Sequence, residues 1–330
     1  MIKICVDVMG SDKDPRELMS GLAEALAADS DLELLVVGDE GIVVPFADPL
    51  DRVEALISKS VITMDEHPAD AVRKKKDSSI VMAAKAVSDG SAQGLFSAGS
   101  TGAVLTAATF GIGRIKGIKR PALSSPLPGL HGHKTILLDL GANADVKPES
   151  LVQFAHMGSA YARVALGAHD PTVALLCNGS EDTKGSELAL AYHAALAADD
   201  TINFAGNAEG TDILTGPYDV IVSDGFTANV ALKTLEGTAK FISARIKGGV
   251  AASKRVALGA LLLKPTLKEI ASDLSGDEQG GAILLGLKAP VVKGHGATSA
   301  EAFKNGVLAC AEAVRGGLCE KIADACMGTL

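Results

Sequence analysis

The chain has 330 residues, 47% of them hydrophobic, and a formal net charge of -9, which is enough apolar material for a large α/β core. The negative charge argues against general nucleic-acid binding, and 3% aromatic residues with no Trp argue against nucleobase stacking. Its five cysteines form no C-x-x-C pair, which favours reduced thiols. No apolar run reaches the ~20 residues of a membrane span, so we expect a soluble protein inside the cell.

Strand and helix patterns alternate from the start of the chain. Ile2–Val8 predicts a buried strand, residues 15–28 a helix and Leu32–Val37 a second strand, which together form a βαβ unit. A helical pattern opens at Pro68 and continues to Gly90. Because the strands are continuous apolar runs, they favour a Rossmann-like three-layer α/β/α fold with helices on both faces of a mostly parallel sheet. Later strands are predicted at Thr135–Leu140, Thr172–Cys177, Ile202–Ala205, Asp219–Ser223 and Val291–Val292.

A turn at Ser97–Gly102 connects a short apolar run to an alanine-rich helical pattern. Its glycines allow a tight turn and a close approach to a ligand, and the first amides of a helix carry the positive end of its dipole. Such a place suits phosphate; the alternative is an ordinary strand-to-helix connector. The candidate phosphate-binding residues are Ser97, Gly99, Ser100, Thr101 and Gly102.

Polar turns that contain glycine follow most of the predicted strands. Because parallel strands end at the same edge of a sheet, we expect these turns to converge on one crevice. The sequence has no P-loop, no zinc-ligand spacing and no G-x-S-x-G elbow. The strand ends offer hydroxyls, amides, carboxylates, Lys184 and His295, a set that predicts oxyanion binding without a metal or cofactor.

Residues 240–268 contain seven basic residues and no acidic one, together with a cluster of leucines. This pattern predicts a protruding helical hairpin over about 240–275, suited to an anionic membrane surface or an acidic partner protein. A helix whose leucines pack on a second copy of the chain is the alternative. The candidate contact residues are Lys254, Arg255, Leu258, Leu261 and Leu262.

Seven motifs occur in a distinctive order along almost the whole chain. Together they resemble the PlsX-type phosphate acyltransferases, the acyl-acyl-carrier-protein:phosphate acyltransferases of bacterial phospholipid synthesis. The resemblance implies one α/β catalytic domain over 1–330 with a fold like that of phosphotransacetylase and isocitrate dehydrogenase. Ser100 stands where this family more often has Asn. The motifs are Val6–Asp12, Arg73–Ser79, Ser97–Ala103, Asp139–Asn143, Glu181–Gly185, Ser223–Lys233 and Lys293–Gly296.

The reaction implied by the resemblance is attack of inorganic phosphate on the thioester of a long-chain acyl-acyl carrier protein, giving acyl phosphate for phospholipid synthesis. We hypothesise a direct displacement with no acyl-enzyme, because phosphate is already an anion near neutral pH and needs positioning more than activation.

Catalytic roles are hypothesised for four residues outside the Ser97–Gly102 turn, which we call the phosphate turn. Lys184 would neutralise phosphate or the oxyanion, and Asn143 and Asn229 would donate orienting hydrogen bonds. His295 would protonate the departing thiolate. We expect three carboxylates to orient these donors. The alternative for each carboxylate is a role as a plain helix cap. These carboxylates are Asp139, Glu181 and Asp224.

The resemblance also implies partners and a location. The partners are acyl carrier protein, inorganic phosphate, an anionic membrane surface, a downstream membrane glycerol-3-phosphate acyltransferase and a second copy of the chain as a homodimer. The location is cytoplasmic, peripheral to the inner face of the cell membrane. Three other functions stay open: a short-chain phosphate acetyl- or butyryltransferase that uses acyl-coenzyme A, an NAD-dependent dehydrogenase, and a non-catalytic lipid-binding protein.

Overall fold

The computed structural model describes residues 1–252, 259–266, 280–296 and 298–327. Its strands are β1 Ile2–Asp7, β2 Leu32–Gly38, β3 Val53–Ile57, β4 Gly94–Ser97, β5 Ala122–Pro128, β6 Lys134–Leu138, β7 Val173–Leu176, β8 Phe204–Ala208, β9 Val220–Val222, β10 Ala282–Leu285 and β11 Val291–Lys293. Its named helices are α1 Pro15–Ala28, α2 Glu40–Ala47, α3 Pro68–Lys74, α4 Ser79–Ser88, α5 Thr101–Gly111, α6 Pro148–Ala165, α7 Glu187–Ala197, α8 Asp212–Thr215, α9 Gly225–Ala252, α10 Ala300–Arg315 and α11 Leu318–Met327. Residues 259–266 are also helical.

All eleven strands belong to one sheet, in the order β3-β2-β1-β4-β11-β10-β5-β6-β9-β7-β8. Strands on each side of the centre are parallel to one another, but β10 and β5 pair antiparallel with their neighbours. One parallel group is β3-β2-β1-β4-β11 and the other is β6-β9-β7-β8. The two groups therefore run in opposite directions. The expectation that all strands end at one edge is wrong, although the predicted mostly parallel sheet is confirmed.

The two groups nevertheless bring some of their ends close together, because the central strands are short. Followed across the paired strands, the register aligns Leu138, the last residue of β6, with Phe96 of β4. The last residues of β4 and β6 are thus one register position apart. Turns that leave the sheet in opposite directions can therefore border the same central cleft.

Hydrophobic side chains pack on both faces of the sheet, as the continuous apolar strands predict. In β1, Ile4 and Val6 join one core cluster with α1, α6 and α10, whereas Cys5 joins the other with α4 and α5. Successive residues of a strand point to opposite faces, so a strand buried on both sides is apolar throughout. The predicted three-layer architecture is confirmed.

Several element boundaries differ from those predicted. The helical pattern from Pro68 to Gly90 is two helices, because α3 ends at Lys74 and α4 begins at Ser79. The strand predicted at Ile202–Ala205 is β8, which begins later and continues through Gly206. Strands β3, β5 and β10 were not predicted.

Only part of the hairpin predicted over about 240–275 is described. Helix α9 is continuous from Gly225 to Ala252, and Leu261 and Leu262 lie in the helical residues 259–266 with 63% and 79% of their surface exposed. The other predicted contact residues, Lys254, Arg255 and Leu258, lie outside the described residues. Within the described ranges, no helix is both long and apolar enough to cross a bilayer.

We expect Gly306→Ala to lower the free energy of unfolding by about 1–3 kcal/mol, because a new methyl group forces a packed core to shift. Gly306 of α10 lies against β4, where a Cβ atom would overlap the Phe96 ring and the Gly280 carbonyl. The Phe96 ring also packs edge-on against Phe303 at 4.7 Å. Urea denaturation measures the change.

Gly237→Ala is the matched control, because a Cβ atom there would meet nothing within 4 Å and the residue also lies in a helix. This control should leave stability unchanged or raise it by up to about 1 kcal/mol. Equal unfolding midpoints for Gly306→Ala and the unchanged protein would contradict the packing described for α10.

Candidate active site

A buried carboxylate lies beneath the turn that joins β4 to α5. Asp7 Oδ2 accepts a hydrogen bond from Ser97 Oγ at 2.8 Å, and Oδ1 accepts one from the Met9 amide at 3.1 Å. Ser97 Oγ in turn accepts from the Gly99 amide at 3.1 Å. Ser97 is fully buried and its one hydroxyl proton is used, so it positions the turn. The prediction that Ser97 contacts phosphate is therefore wrong.

Burial raises the pKa of Asp7 to about 6, against the opposing effect of hydrogen bonds from Ser79, Ser97 and the Met9 amide. Desolvation disfavours the charged form of a carboxyl group, and hydrogen bonds to the carboxylate favour it. Asp7 is therefore ionised at neutral pH and becomes protonated in mildly acidic solution.

The N-terminus of α5 is open to a ligand. Ser100 is its N-cap residue, and the side chain of Ser100 makes no capping hydrogen bond. Helices α3, α4, α6 and α8 also lack a side-chain cap, whereas α1, α2, α7 and α10 each have one. Uncapped amides at the start of a helix are donors for an anion.

Glycine is required in this turn for close packing. A Cβ atom at Gly102 would overlap the Pro68 ring of α3, and one at Gly99 would lie 3.3 Å from Ser97 Oγ. Neither glycine has a positive φ. The close approach of Gly102 to a ligand stays a prediction, because its near neighbour is a proline ring of the protein itself.

Loops after β1, β4 and β11 are bonded to one another. Gly294 N donates to Ser97 O at 2.9 Å, and Gly296 O accepts from Asp12 N and from Ser11 Oγ, each at 2.9 Å. These bonds fix the segment that follows β11 beside the phosphate turn. The residues carried there are Lys293 and His295.

A cleft with a volume of about 390 Å³ lies between the phosphate turn, β5 and α9. Of the predicted site residues it brings together Thr101, Asn229 and His295. Its other polar lining includes Ser125, Lys233, Glu236 and Lys293, and its apolar wall consists mainly of leucines. A cleft of this size and mixed lining is typical of small-molecule sites. The leucines are Leu123, Leu127, Leu140, Leu214, Leu232 and Leu235.

Two titratable groups of the cleft have shifted pKa values. Burial lowers the pKa of Lys293, and the nearby positive charge of Lys233 lowers it further, whereas Asp12 and Glu236 oppose the shift. Burial of part of the His295 ring and the charges of Lys293 and Lys233 lower the pKa of His295. His295 is thus neutral at pH 7, so it can donate a hydrogen bond but lacks the imidazolium proton that the predicted acid requires.

Asp139 and Asn143 brace the loop after β6. The buried carboxylate of Asp139 accepts from the Leu123 amide at 2.9 Å and from both the backbone and the side-chain nitrogen of Asn143, at 2.7 and 2.8 Å. Burial raises the pKa of Asp139. Asn143 Nδ2 also donates to Pro121 O at 2.8 Å. Since both amide protons are used, the prediction that Asn143 donates to the substrate is wrong.

Asn229 enters the cleft because the loop after β6 leaves room for it. Gly141 has a φ of +111°, and a Cβ atom there would lie 3.2 Å from Asn229 Nδ2. The bracing by Asp139 and the glycine at 141 therefore place Asn229 in the wall.

Lys184, Glu181 and Asp224 do not line the cleft. Lys184 and Glu181 are exposed in the loop after β7, and five strands separate β7 from β4, a distance of about 29 Å at 4.8 Å per strand. Asp224 accepts from the Thr227 amide at 2.8 Å and from its hydroxyl at 2.9 Å. Asp224 is therefore a helix cap, and the grouping of Lys184 and Glu181 with the phosphate turn is wrong for this cleft.

Sequence reasoning missed Lys293 and Asp7 as functional candidates. Both lie inside motifs that carried the resemblance, at the last residues of β11 and β1. A charged residue that ends a buried strand and precedes a glycine turn is the signal that could have found them. Among the described residues, no three His, Cys, Asp or Glu side chains could hold a metal ion.

The sequence model of a family described as "Fatty acid synthesis protein" matches residues 2–321. The chain belongs to this family. Two relatives are each named "Phosphate acyltransferase": that of Limosilactobacillus reuteri (strain DSM 20016) is 45% identical over 98% of this chain and 96% of its own. That of Bacillus pumilus (strain SAFR-032) is 46% identical over 92% of this chain and 91% of its own. The predicted PlsX-type resemblance is confirmed.

Solved structures with a similar fold include phosphotransacetylases. One from Streptococcus pyogenes has a TM-score of 0.60 at 17% identity and covers 95% of this chain and 94% of its own. EutD phosphotransacetylase from Staphylococcus aureus has a TM-score of 0.57 at 18% identity, with coverage of 96% and 94%. This fatty acid synthesis family member thus has the predicted phosphotransacetylase-like fold.

We expect the free energy of unfolding of Asp7→Asn to rise relative to that of the unchanged protein as the pH rises. The pKa of Asp7 is about 6 in the folded protein and about 3.9 in an unfolded chain. Between these values the folded state binds more protons, so stability falls as the pH rises and levels off above pH 6. From pH 5 to pH 7.5, the stability of the variant relative to the unchanged protein should rise by about 1.4 kcal/mol.

Urea unfolding at the two pH values, in buffers without phosphate, measures this change. Comparing each variant with itself removes the constant effect of lost hydrogen bonds. The exposed Asp51→Asn serves as the control. A relative stability of Asp7→Asn that is the same at both pH values would rule out the burial effect.

Proposed function

We propose that this protein is a phosphate acyltransferase that transfers a long-chain acyl group from acyl carrier protein to inorganic phosphate. The observation that carries the proposal is one cleft with an uncapped helix N-terminus and cations at one end and a wall of leucines along its length. The polar end suits a phosphate and the leucine wall suits an acyl chain. The names of the relatives support the same reaction.

In the proposed reaction, phosphate sits at the first amides of α5 beside Thr101. A phosphate oxygen attacks the thioester carbonyl carbon and forms a C–O bond, while the carbonyl oxygen takes up negative charge. Collapse of this intermediate breaks the C–S bond, and the thiolate leaves with the electron pair and takes a proton from water. Amides aimed at an anion act without reorganisation during the reaction.

A direct displacement fits the side chains of the cleft. None of its described lining residues is a cysteine, and burial raises the pKa of the Cys5 and Cys310 thiols, which disfavours reactive thiolates. Phosphate is itself an anion near neutral pH, so holding it beside the thioester supplies most of what the reaction needs. Asn229 lines the cleft as a hydrogen-bond donor to the carbonyl or to phosphate.

The acyl chain would lie along β5 and α9. Leu123 and Leu127 face it from the strand, and Leu232 and Leu235 from the helix. Each methylene group that leaves water contributes about 0.8 kcal/mol. This wall favours long acyl chains over acetyl, although the fold is that of phosphotransacetylases.

The far part of α9 is proposed to meet an anionic surface. Phe241, Ile242 and Ile246 are exposed there, among the basic Lys240 and Arg245. Exposed apolar residues interleaved with cations suit the inner face of the cell membrane, where the acyl phosphate would pass to a membrane glycerol-3-phosphate acyltransferase. The same surface also suits acidic acyl carrier protein, and packing in a homodimer is the other use of its exposed apolar residues.

The activity is tested by incubating the protein with palmitoyl-acyl carrier protein and inorganic phosphate, trapping acyl phosphate with hydroxylamine and measuring the hydroxamate by mass spectrometry. We expect palmitoyl hydroxamate that depends on both substrates. A parallel reaction with acetyl-coenzyme A tests the short-chain alternative. Faster turnover of acetyl-coenzyme A, or no hydroxamate from either donor, would disprove the proposed substrate.

Membrane contact is tested with the double substitution Leu261→Glu and Leu262→Glu. Each leucine contributes about 1.5–3 kcal/mol when buried in lipid, so binding to phosphatidylglycerol vesicles should fall more than tenfold in a flotation assay. The control is Leu188→Glu with Leu190→Glu, two exposed leucines on α7. Unchanged vesicle binding would instead favour packing between two copies, which sedimentation equilibrium would then reveal as a monomeric variant.

A further inference from the structure

We infer that the Lys293 ammonium, and not Lys184, binds the phosphate and stabilises the negative charge that develops on the thioester oxygen. This inference rests on the proposed function and assigns the principal cation of the same cleft. Three separate observations carry it: the position of Lys293, the lack of an ion pair to its ammonium among the described residues, and the weaker claim of the neighbouring basic groups on a substrate.

Lys293 is fixed beside the phosphate turn by the sheet itself. As the last residue of β11, it pairs in parallel with Ser97 and in antiparallel with Ala282. The next amide, Gly294 N, donates to Ser97 O at 2.9 Å. Backbone pairing on both sides thus sets where the side chain starts, and Lys293 and Thr101 line the same cleft.

The ammonium of Lys293 is partly buried, and the two carboxylates whose charges act on it, Asp12 and Glu236, form no ion pair with it. Within the described residues, no carboxylate lies within 4 Å of it and its side chain makes no hydrogen bond. A buried charge without a partner is unfavourable, and burial correspondingly lowers the pKa of Lys293. An anion at the N-terminus of α5 would supply the missing partner and reverse that shift.

The other basic side chains of the cleft either pair with a carboxylate or carry no charge at pH 7. Lys233 Nζ forms an ion pair with Glu236 Oε2 at 2.8 Å, one turn further along α9. His295 is neutral at pH 7 because its pKa is lowered. Of the described cations that line the cleft, Lys293 is therefore the one whose charge is left for a substrate.

Lys184 has neither of these properties. It is exposed in the loop after β7, and β7 is separated from β4 by five strands. A lysine in water at such a distance is screened from a phosphate in the cleft, because the Debye length is about 8 Å at physiological ionic strength.

The experiment compares Lys293→Met, which keeps the length and apolar stem of the side chain, with Lys288→Met and Lys184→Met. Lys288 is exposed in the connection that leads from β10 to β11, so it is a nearby control outside the cleft. Phosphate binding is measured by calorimetry, and kcat/KM for phosphate is measured with palmitoyl-acyl carrier protein in excess. Thermal unfolding without phosphate checks that each variant is folded, and Lys293→Gln replaces Lys293→Met if that variant is not.

Loss of the charge-assisted contact should weaken phosphate binding at least tenfold, and loss of oxyanion stabilisation should lower kcat/KM about 10²-fold or more. Lys288→Met and Lys184→Met should stay within twofold of the unchanged protein in both measurements. The inference is overturned if a folded Lys293 variant binds phosphate within twofold of the unchanged protein, or if Lys184→Met causes the larger loss. The calorimetric result stands even where no acyl phosphate forms, so failure of the proposed reaction is distinguishable from failure of the assignment.

Discussion

The hydrogen-bond chain from Asp7 through Ser97 to the Gly99 amide is the constraint on which the site depends. It joins the ends of β1 and β4 and fixes the direction in which the chain enters α5. Burying the carboxylate that holds this turn costs free energy, because desolvation disfavours its charged form and raises its pKa to about 6. Its advantage is rigidity, because a donor array that is already in place stabilises an anion without further ordering.

A second constraint is the reversal of strand direction at β10 and β5. The strand order places five strands between β7 and β4, and the reversal creates a central seam where short strands leave room for the cleft. The seam joins two chemically different walls. Lys293 and the helix amides come from the β1, β4 and β11 side, whereas most of the leucines come from β5 and α9.

Local patterns in the sequence predicted the elements that depend on local physics. Helix α1 has a side-chain cap at Asp14 and Pro15 in its first turn, and it was predicted with its observed bounds. Strand β5 was missed because Pro126 and Pro128 are unusual in a strand. Strand direction depends on contacts between distant segments, so sequence position alone grouped Lys184 with a turn that lies far from it. Lys293 was missed for the converse reason, since only the sheet brings it beside Ser97.

Helix α9 connects the interior of the cleft to the surface as one continuous rod. It contributes Asn229 and Leu232 to the lining and continues to Ala252. From Asn229 to Ala252 the axis extends about 35 Å at 1.5 Å per residue. A tilt of about 5° at the buried end of such a helix moves its outer end by about 3 Å, so the position of the outer end is linked to the width of the cleft.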